Sequence, residues 1–194
     1  MPDDKERLWT LANFFTLLRI LAIPVLILAL VRHSGRTAFF VFGVAALTDF
    51  LDGLAARTWH QRSKLGITLD PAADKLLMTA SFIALSLRSL GGPNIIPLWL
   101  TIVVIGRDVA IALGVLVVVK TVGPKPFLPS LWGKISTVWQ LVCLLLVLLF
   151  NWLQTTPAEL LWVYLLTLVL TCISWAHYFF ARFLPWLREK QDDR

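Results

Sequence analysis

The sequence predicts an all-α integral membrane protein with six transmembrane helices, and three observations carry that class. Of the 194 residues, 58% are hydrophobic and 15% charged, against roughly a quarter charged in soluble domains, and the mean hydropathy is +0.76. Six apolar runs approach the length of about 20 residues that a helix needs to cross hydrocarbon. The connections between them are short and carry turn residues: Ser34-Gly35, Gly91-Gly92-Pro93-Asn94 and Thr156-Pro157. A soluble globule of this length must keep its surface wet and cannot hide so much apolar area. Strands are excluded by the length of the runs, since only helices or closed barrels satisfy their backbone in lipid.

In chain order the runs are Phe14 to Val31, Ala38 to Ala55, Pro71 to Leu87, Ile95 to Val119, Thr137 to Leu153 and Leu160 to Phe180. No internal repeat or low-complexity tract interrupts them, and residues 1–194 read as one membrane domain. The opening MPDDKERLWT mixes acid and base and lacks a small-residue cleavage site, unlike a signal peptide. Cys143 and Cys172 both fall in apolar runs and read as small buried hydrophobes. The net charge of +6 points to anionic headgroups and not to nucleic acid, because the basic residues cluster in short loops. One side collects Lys5, Arg7, Arg57, Arg62, Lys64, Lys120, Lys125, Lys134, Arg182, Arg188, Lys190 and Arg194. The other has only Arg32, Arg36 and Arg88. The richer side is cytoplasmic by the positive-inside bias, which implies a multi-pass protein of a bacterial-type inner or plasma membrane.

Four acids break the apolar pattern. Asp49 and Asp52 lie near the end of the second run, and Asp70 and Asp74 open the third. Insertion scales put an aspartate at a helix centre near +2.5 to +3.5 kcal/mol, so four uncompensated ones cost on the order of 10 kcal/mol, less some relief near the interface. Spacings of i, i+3 and i, i+4 place each pair on one helix face. A short connection over Arg57–Leu69 brings both pairs to the same cytoplasmic depth. A divalent cation is the simplest compensation. Carboxylates are hard ligands suited to magnesium, manganese or calcium, and two pairs suit one ion or a two-metal clamp. Taken singly, the neighbouring residues have plainer readings. Gly53 and Ala56 suit close helix packing, Arg57 a loop-side charge, and Asp70 an N-cap with Pro71 at the first helical position. Gly66 permits a tight turn. None of these accounts for four acids together.

The stretch TDFLDGLAARTWHQRSKLGITLDPAADK resembles the signature D-x2-D-G-x2-A-R-x8-G-x3-D-x3-D of the CDP-alcohol phosphatidyltransferase family. Asp49, Asp52, Gly53, Ala56, Arg57, Gly66, Asp70 and Asp74 match it with every spacing kept. The resemblance implies a cytoplasmic-side active site in which Asp49, Asp52, Asp70 and Asp74 hold Mg2+ or Mn2+, two ions in all. Asp74 would also act as general base on an acceptor hydroxyl. Gly53, Arg57 and Ser63 would contact a CDP-linked donor lipid, and Ala56 and Gly66 would give close approach to its nucleotide. It further implies a homodimer, CDP-diacylglycerol as donor and CMP as leaving group.

The D-P-x-A-D-K form of Asp70 to Lys75 resembles the branch of phosphatidylglycerophosphate synthases and eukaryotic-type cardiolipin synthases. So do Asn13 to Arg19 and Gly133 to Gln140. Arg107, within the fourth run, is a functional candidate as an intramembrane charge, with neutralisation by Asp108 as the plainer reading. Arg107, Lys134, Arg19 and Lys75 are the candidates for binding an acceptor's phosphate. Glycerol 3-phosphate leads as acceptor. Phosphatidylglycerol, which would make the chain a cardiolipin synthase, is the rival, and Asp108 tilts toward that form. A transporter with intramembrane acids is the alternative of another class, disfavoured by the lack of inverted repeats.

Overall fold

The computed structural model describes the backbone of residues 11–59, 64–90, 92–122 and 130–183, and the side chains of 17–48, 73–90, 92–120 and 130–181. Six helices follow in order: α1 (Leu11–Val31), α2 (Gly35–Trp59), α3 (Lys64–Ser86), α4 (Leu98–Val122), α5 (Leu131–Leu153) and α6 (Leu160–Tyr178). The last runs into a π-helical turn, Phe179–Phe183. No strand occurs among the described residues.

All six predicted helices are present, with one boundary that matters. α3 begins at Lys64 and not at Pro71, so the connection expected over Arg57–Leu69 shrinks to residues 60–63. Asp70 is therefore no N-cap and Gly66 no turn glycine; both lie inside α3. A proline within a helix forfeits one backbone bond, but membrane helices carry prolines where neighbours re-satisfy the freed group. α1 does the same at Pro24. Length and composition support three spans among the described residues, Leu98–Lys120, Leu131–Leu153 and Leu160–Ala181. The apolar stretches Leu17–Val31 and Gly35–Thr48 are shorter.

The chain falls into two compact units. The first comprises residues 1–95 and 144–156. In it α1 packs on both α2 and α3, burying Leu26, Leu30, Phe42, Leu77, Phe82 and Leu85. α1 ends in a Schellman turn: Ser34 N–H donates to Ala29 C=O, and His33 N–H to Leu30 C=O, both at 2.9 Å. His33 takes the left-handed conformation that such a turn requires, with φ 52°. α2 starts against the end of α5. A Cβ on Gly35 would lie 2.8 Å from the Asn151 carbonyl oxygen, so only glycine fits there. Asn151 also anchors the loop before α4. Its Oδ1 accepts from Asn94 N–H at 2.7 Å and from Asn94 Nδ2 at 3.0 Å, and its Nδ2 donates to Asn94 C=O at 3.1 Å.

The second unit comprises residues 96–143 and 157–194. There α4 packs on α6. Ser130 caps α5, its Oγ accepting from Gly133 N–H at 3.0 Å. The outward faces of these helices stay apolar: Leu98, Ile102, Val138 and Trp162 are all exposed, as expected of surface that meets lipid.

Candidate active site

α2 and α3 set the four aspartates by simple register. Asp49 lies ten residues before the end of α2 at Trp59, and Asp74 ten residues after the start of α3 at Lys64. At 1.5 Å per residue each is about 15 Å along its helix from the connector. Asp52 and Asp70 lie seven and six residues from the same ends, or about 10 Å. Asp49, Asp52, Gly53, Ala56 and Arg57 belong to α2, and Gly66, Asp70, Asp74 and Lys75 to α3. Ser63 lies outside the described residues, as do the side chains of Asp49, Asp52, Ala56, Arg57 and Asp70.

Asp74 is the acid whose side chain is described, and it is half-buried. Its Oδ1 is ion-paired with Nη1 of Arg19 from α1. Arg19 is among the most deeply buried side chains, at 1% exposure. A guanidinium buried in a membrane helix is costly without an anion, and an aspartate without a cation. The pair settles both and fixes the orientation of the carboxylate. The sequence signal for this was present, an arginine in the first apolar run, but its partner was not legible. Arg19, a candidate for the acceptor's phosphate, is thus also a partner of Asp74. Lys75 is half-buried beside it on α3.

The donor set suits a hard divalent cation. All four candidate ligands are carboxylates, and the described one already draws a buried cation to itself. Among the described residues no cluster of three His, Cys, Asp or Glu side chains forms, three of the four acids having side chains outside them.

In the second unit, Arg107 of α4 is 8% exposed. Its Nη1 donates to Asp108 Oδ1 at 2.7 Å, and its Nη2 to Ser174 Oγ of α6 at 2.6 Å. The plainer expectation of neutralisation by Asp108 is thus realised in part: Asp108 takes one edge of the fork. Gly133 of α5 leaves room beside it, since a Cβ there would stand 3.3 Å from Arg107 Nη2 and 3.1 Å from Ser130 Oγ. Lys134, next in sequence, is exposed. Sequence reasoning missed the polar seam behind Arg107. Ser136 and Gln140 of α5 and Thr171 and Ser174 of α6 are all buried to 1% exposure or less. Their spacing was a signal: Ser136/Gln140 and Thr171/Ser174 are i, i+4 and i, i+3 pairs of polar residues in apolar runs.

Comparison with known proteins bears on both units. A family model described as CDP-alcohol phosphatidyltransferase matches residues 9–181. Human cardiolipin synthase (CMP-forming) is 32% identical over 197 aligned residues, covering 91% of this chain and 64% of that protein. A Mycobacterium tuberculosis protein named probable phosphatidylglycerophosphate synthase is 35% identical over 147 residues, covering 72% of this chain and 66% of its own length. Cardiolipin synthase (CMP-forming) of Streptomyces coelicolor is 30% identical over 168 residues, covering 82% and 75%. The chain therefore spans a little under two thirds of the length of the human and mycobacterial relatives.

Proposed function

Because the chain belongs to the CDP-alcohol phosphatidyltransferase family, we propose that it transfers the phosphatidyl group of CDP-diacylglycerol to glycerol 3-phosphate, giving phosphatidylglycerophosphate and CMP. The observation that carries this is the eight-position motif from Asp49 to Asp74, with every spacing kept and its residues on α2 and α3 apart from the connecting stretch. In the reaction an acceptor hydroxyl oxygen attacks the phosphorus that bears the diacylglycerol. A P–O bond forms, the P–O bond to CMP breaks, and the hydroxyl proton passes to Asp74 as general base. Arg19 acts through Asp74, holding its carboxylate in one orientation. Asp49, Asp52, Asp70 and Asp74 would hold divalent metal, Mg2+ or Mn2+ and two ions on the resemblance, which when bound neutralises charge developing on the diphosphate. Gly53, Ala56, Arg57, Ser63 and Gly66 bind the donor. Arg107, Lys134, Arg19 and Lys75 are assigned to the acceptor's phosphate, for which an arginine fork is well suited.

The same reading takes all six helices as membrane-crossing, with residues 60–63 on the lysine- and arginine-rich cytoplasmic side. The support is the charge asymmetry of the loops and the apolar surfaces of α1 and α2, where Leu21, Val25, Leu28, Val44 and Leu47 are exposed. A homodimer, CDP-diacylglycerol and bulk membrane lipid are its partners.

A second acceptor is favoured by two observations. Asp108 follows Arg107, and the human and Streptomyces relatives carry the name cardiolipin synthase (CMP-forming). Phosphatidylglycerol would then be the acceptor. Purified protein given CDP-diacylglycerol, Mg2+ and either glycerol 3-phosphate or phosphatidylglycerol separates the two by product mass. Phosphatidylglycerophosphate is expected. Cardiolipin alone would move the assignment to the second acceptor, and no CMP with either would overturn both.

A further inference from the structure

Within the first unit, the turns that end α1, α3 and α5 enclose a cavity of about 290 Å3. Leu30 and His33 reach it from the end of α1, Gly35 from the start of α2, and Leu90 from the segment after α3. Asn151 and Gln154 reach it from the end of α5. Leu30 lies eleven residues beyond Arg19 on α1, about 16 Å along the helix, so the cavity is remote from the Arg19–Asp74 pair. Its walls are tied together. Asn151 bonds the Asn94 backbone and side chain as described, and Asn94 Nδ2 also donates to Thr155 C=O at 2.7 Å. α5 ends in a Schellman turn like that of α1, with Thr155 N–H donating to Phe150 C=O at 3.1 Å. The left-handed position of such a turn usually carries glycine. Here it carries His33 (φ 52°) and Gln154 (φ 55°), two polar residues that both line the cavity. They are exposed, whereas Leu30 is buried. The cavity thus runs from a polar mouth to an apolar floor.

The charge around this mouth has one sign. Arg32 and Arg36 flank His33 and Gly35, and Arg88 precedes Leu90 by two residues. No acid occurs in residues 31–37, 86–97 or 150–158. All three arginines are exposed, and the ion pairs among the described residues belong to Arg19 and Arg107 instead. The helix dipole favours cations at C-terminal ends, which accounts for Arg32 after α1 and Arg88 after α3. It disfavours Arg36, which sits in the first turn of α2, where no acidic residue offsets it. An external anion at this mouth would satisfy all three. Arginine is the side chain suited to phosphate, and His33 adds an imidazole N–H. The apolar floor excludes a bare inorganic ion as the best fit and suits an amphiphile. Trp152 stacks with Phe39 and Phe40 beside this end, at ring-centroid distances of 5.6 and 5.4 Å. Such aromatic groups collect at headgroup depth.

We propose that this cavity binds the headgroup of an anionic phospholipid, its phosphate held by Arg32, Arg36, Arg88 and His33 and its glycerol backbone laid over Leu30 and Leu90. This is a second lipid site, separate from the acids of α2 and α3. It rests on the reading of the helices of the first unit as membrane-crossing, which places the three turns at a membrane surface.

The test is photo-crosslinking of the full-length protein in phosphatidylcholine nanodiscs. A minor fraction of either phosphatidylglycerol or phosphatidylcholine carries a diazirine at the top of one acyl chain, and labelled peptides are mapped by mass spectrometry. Phosphatidylglycerol is expected to label residues 87–97 and 150–157 about five-fold or more above phosphatidylcholine. Each of Arg32→Gln, Arg36→Gln and Arg88→Gln is expected to lower that labelling about five-fold, the weight of one basic residue at an anionic membrane surface. Excess inorganic phosphate is expected to leave it standing. Equal labelling by the two lipids would report ordinary bilayer contact and overturn the site while keeping the membrane-crossing reading. No label from either lipid would overturn both. Full labelling in all three variants, or loss of label to inorganic phosphate, would also overturn the proposal. The comparison of the two lipids on the parent needs no variant and so remains decisive if a substitution impairs folding. CMP release is not the readout, so failure of the transferase reading would leave these outcomes unmoved.

Discussion

At the scale of single residues, charge inside the membrane decides most of what can be said. Asp74 and Arg19 answer one another across α1 and α3, and each predicts a distinct outcome. Asp74→Asn keeps the shape but removes both the proton acceptor and the anion beside the buried Arg19 guanidinium, so turnover is expected to fall about 100-fold or more and Tm in detergent to drop as well. Arg19→Gln removes the cation from its pair with Asp74. Removing one partner of a buried pair destabilises by about 3–5 kcal/mol, so a clear drop in Tm is expected alongside lost turnover. Arg19→Lys should recover part of the Tm, because the charge returns without the fork. A Tm for Arg19→Gln equal to that of the parent would show that the pair bears no load. The four acids, Arg107 and Arg19 were all legible in the sequence as charges in apolar runs. The Arg107–Asp108 contact was legible too, but the Arg19–Asp74 pair was not, because the two are far apart in the chain and no local pattern joins them.

At the scale of elements, the informative departure is α3. Pro71 after Asp70 reads as a helix start, and the helix instead begins at Lys64. Local propensity is overridden because a hydrogen bond forfeited at proline can be offset by neighbours in a membrane protein. The early start places Gly66, Asp70 and Asp74 all within α3. The junction of α2 with α5 was not legible either. Gly35 looked like a turn residue, yet it is the point of closest approach to the Asn151 backbone. Gly35→Val is expected to force the two helices apart and to lower Tm by several degrees without a change in acceptor preference. Asn151→Ala removes three hydrogen bonds to Asn94 and leaves buried groups unpaired, a loss of about 1–3 kcal/mol for each such group. Both effects are read by thermal unfolding in detergent. Equal melting of Gly35→Val and parent would contradict the packing described for the first unit.

At the scale of the whole molecule, composition pointed to the all-helical membrane class, and loop charge supplies the sidedness we propose. The described residues support three spans by length and composition, while the six-span reading predicts that residues before α1, residues 60–63 and residues after α6 share one side. Single cysteines at His60 and Arg194, in a Cys143→Ser/Cys172→Ser background, should react with an impermeant maleimide only from the cytoplasmic face. A cysteine at Arg88 should react only from the opposite face. Labelling of His60 and Arg88 from the same side would break the topology. The family membership of the chain rests on the motif and the match over residues 9–181, and the transfer proposed for it rests on the acids of α2 and α3.

The most direct measurement of that transfer is CMP release from CDP-diacylglycerol by the purified protein, with Mg2+ and with chelator, for the parent and for Asp49→Asn, Asp52→Asn, Asp70→Asn and Asp74→Asn. The account predicts acceptor-dependent CMP release that stops on chelation, returns with Mg2+ and is lost in each variant. CMP release that persists at the parental rate under chelator, or in any of the four variants, would contradict it.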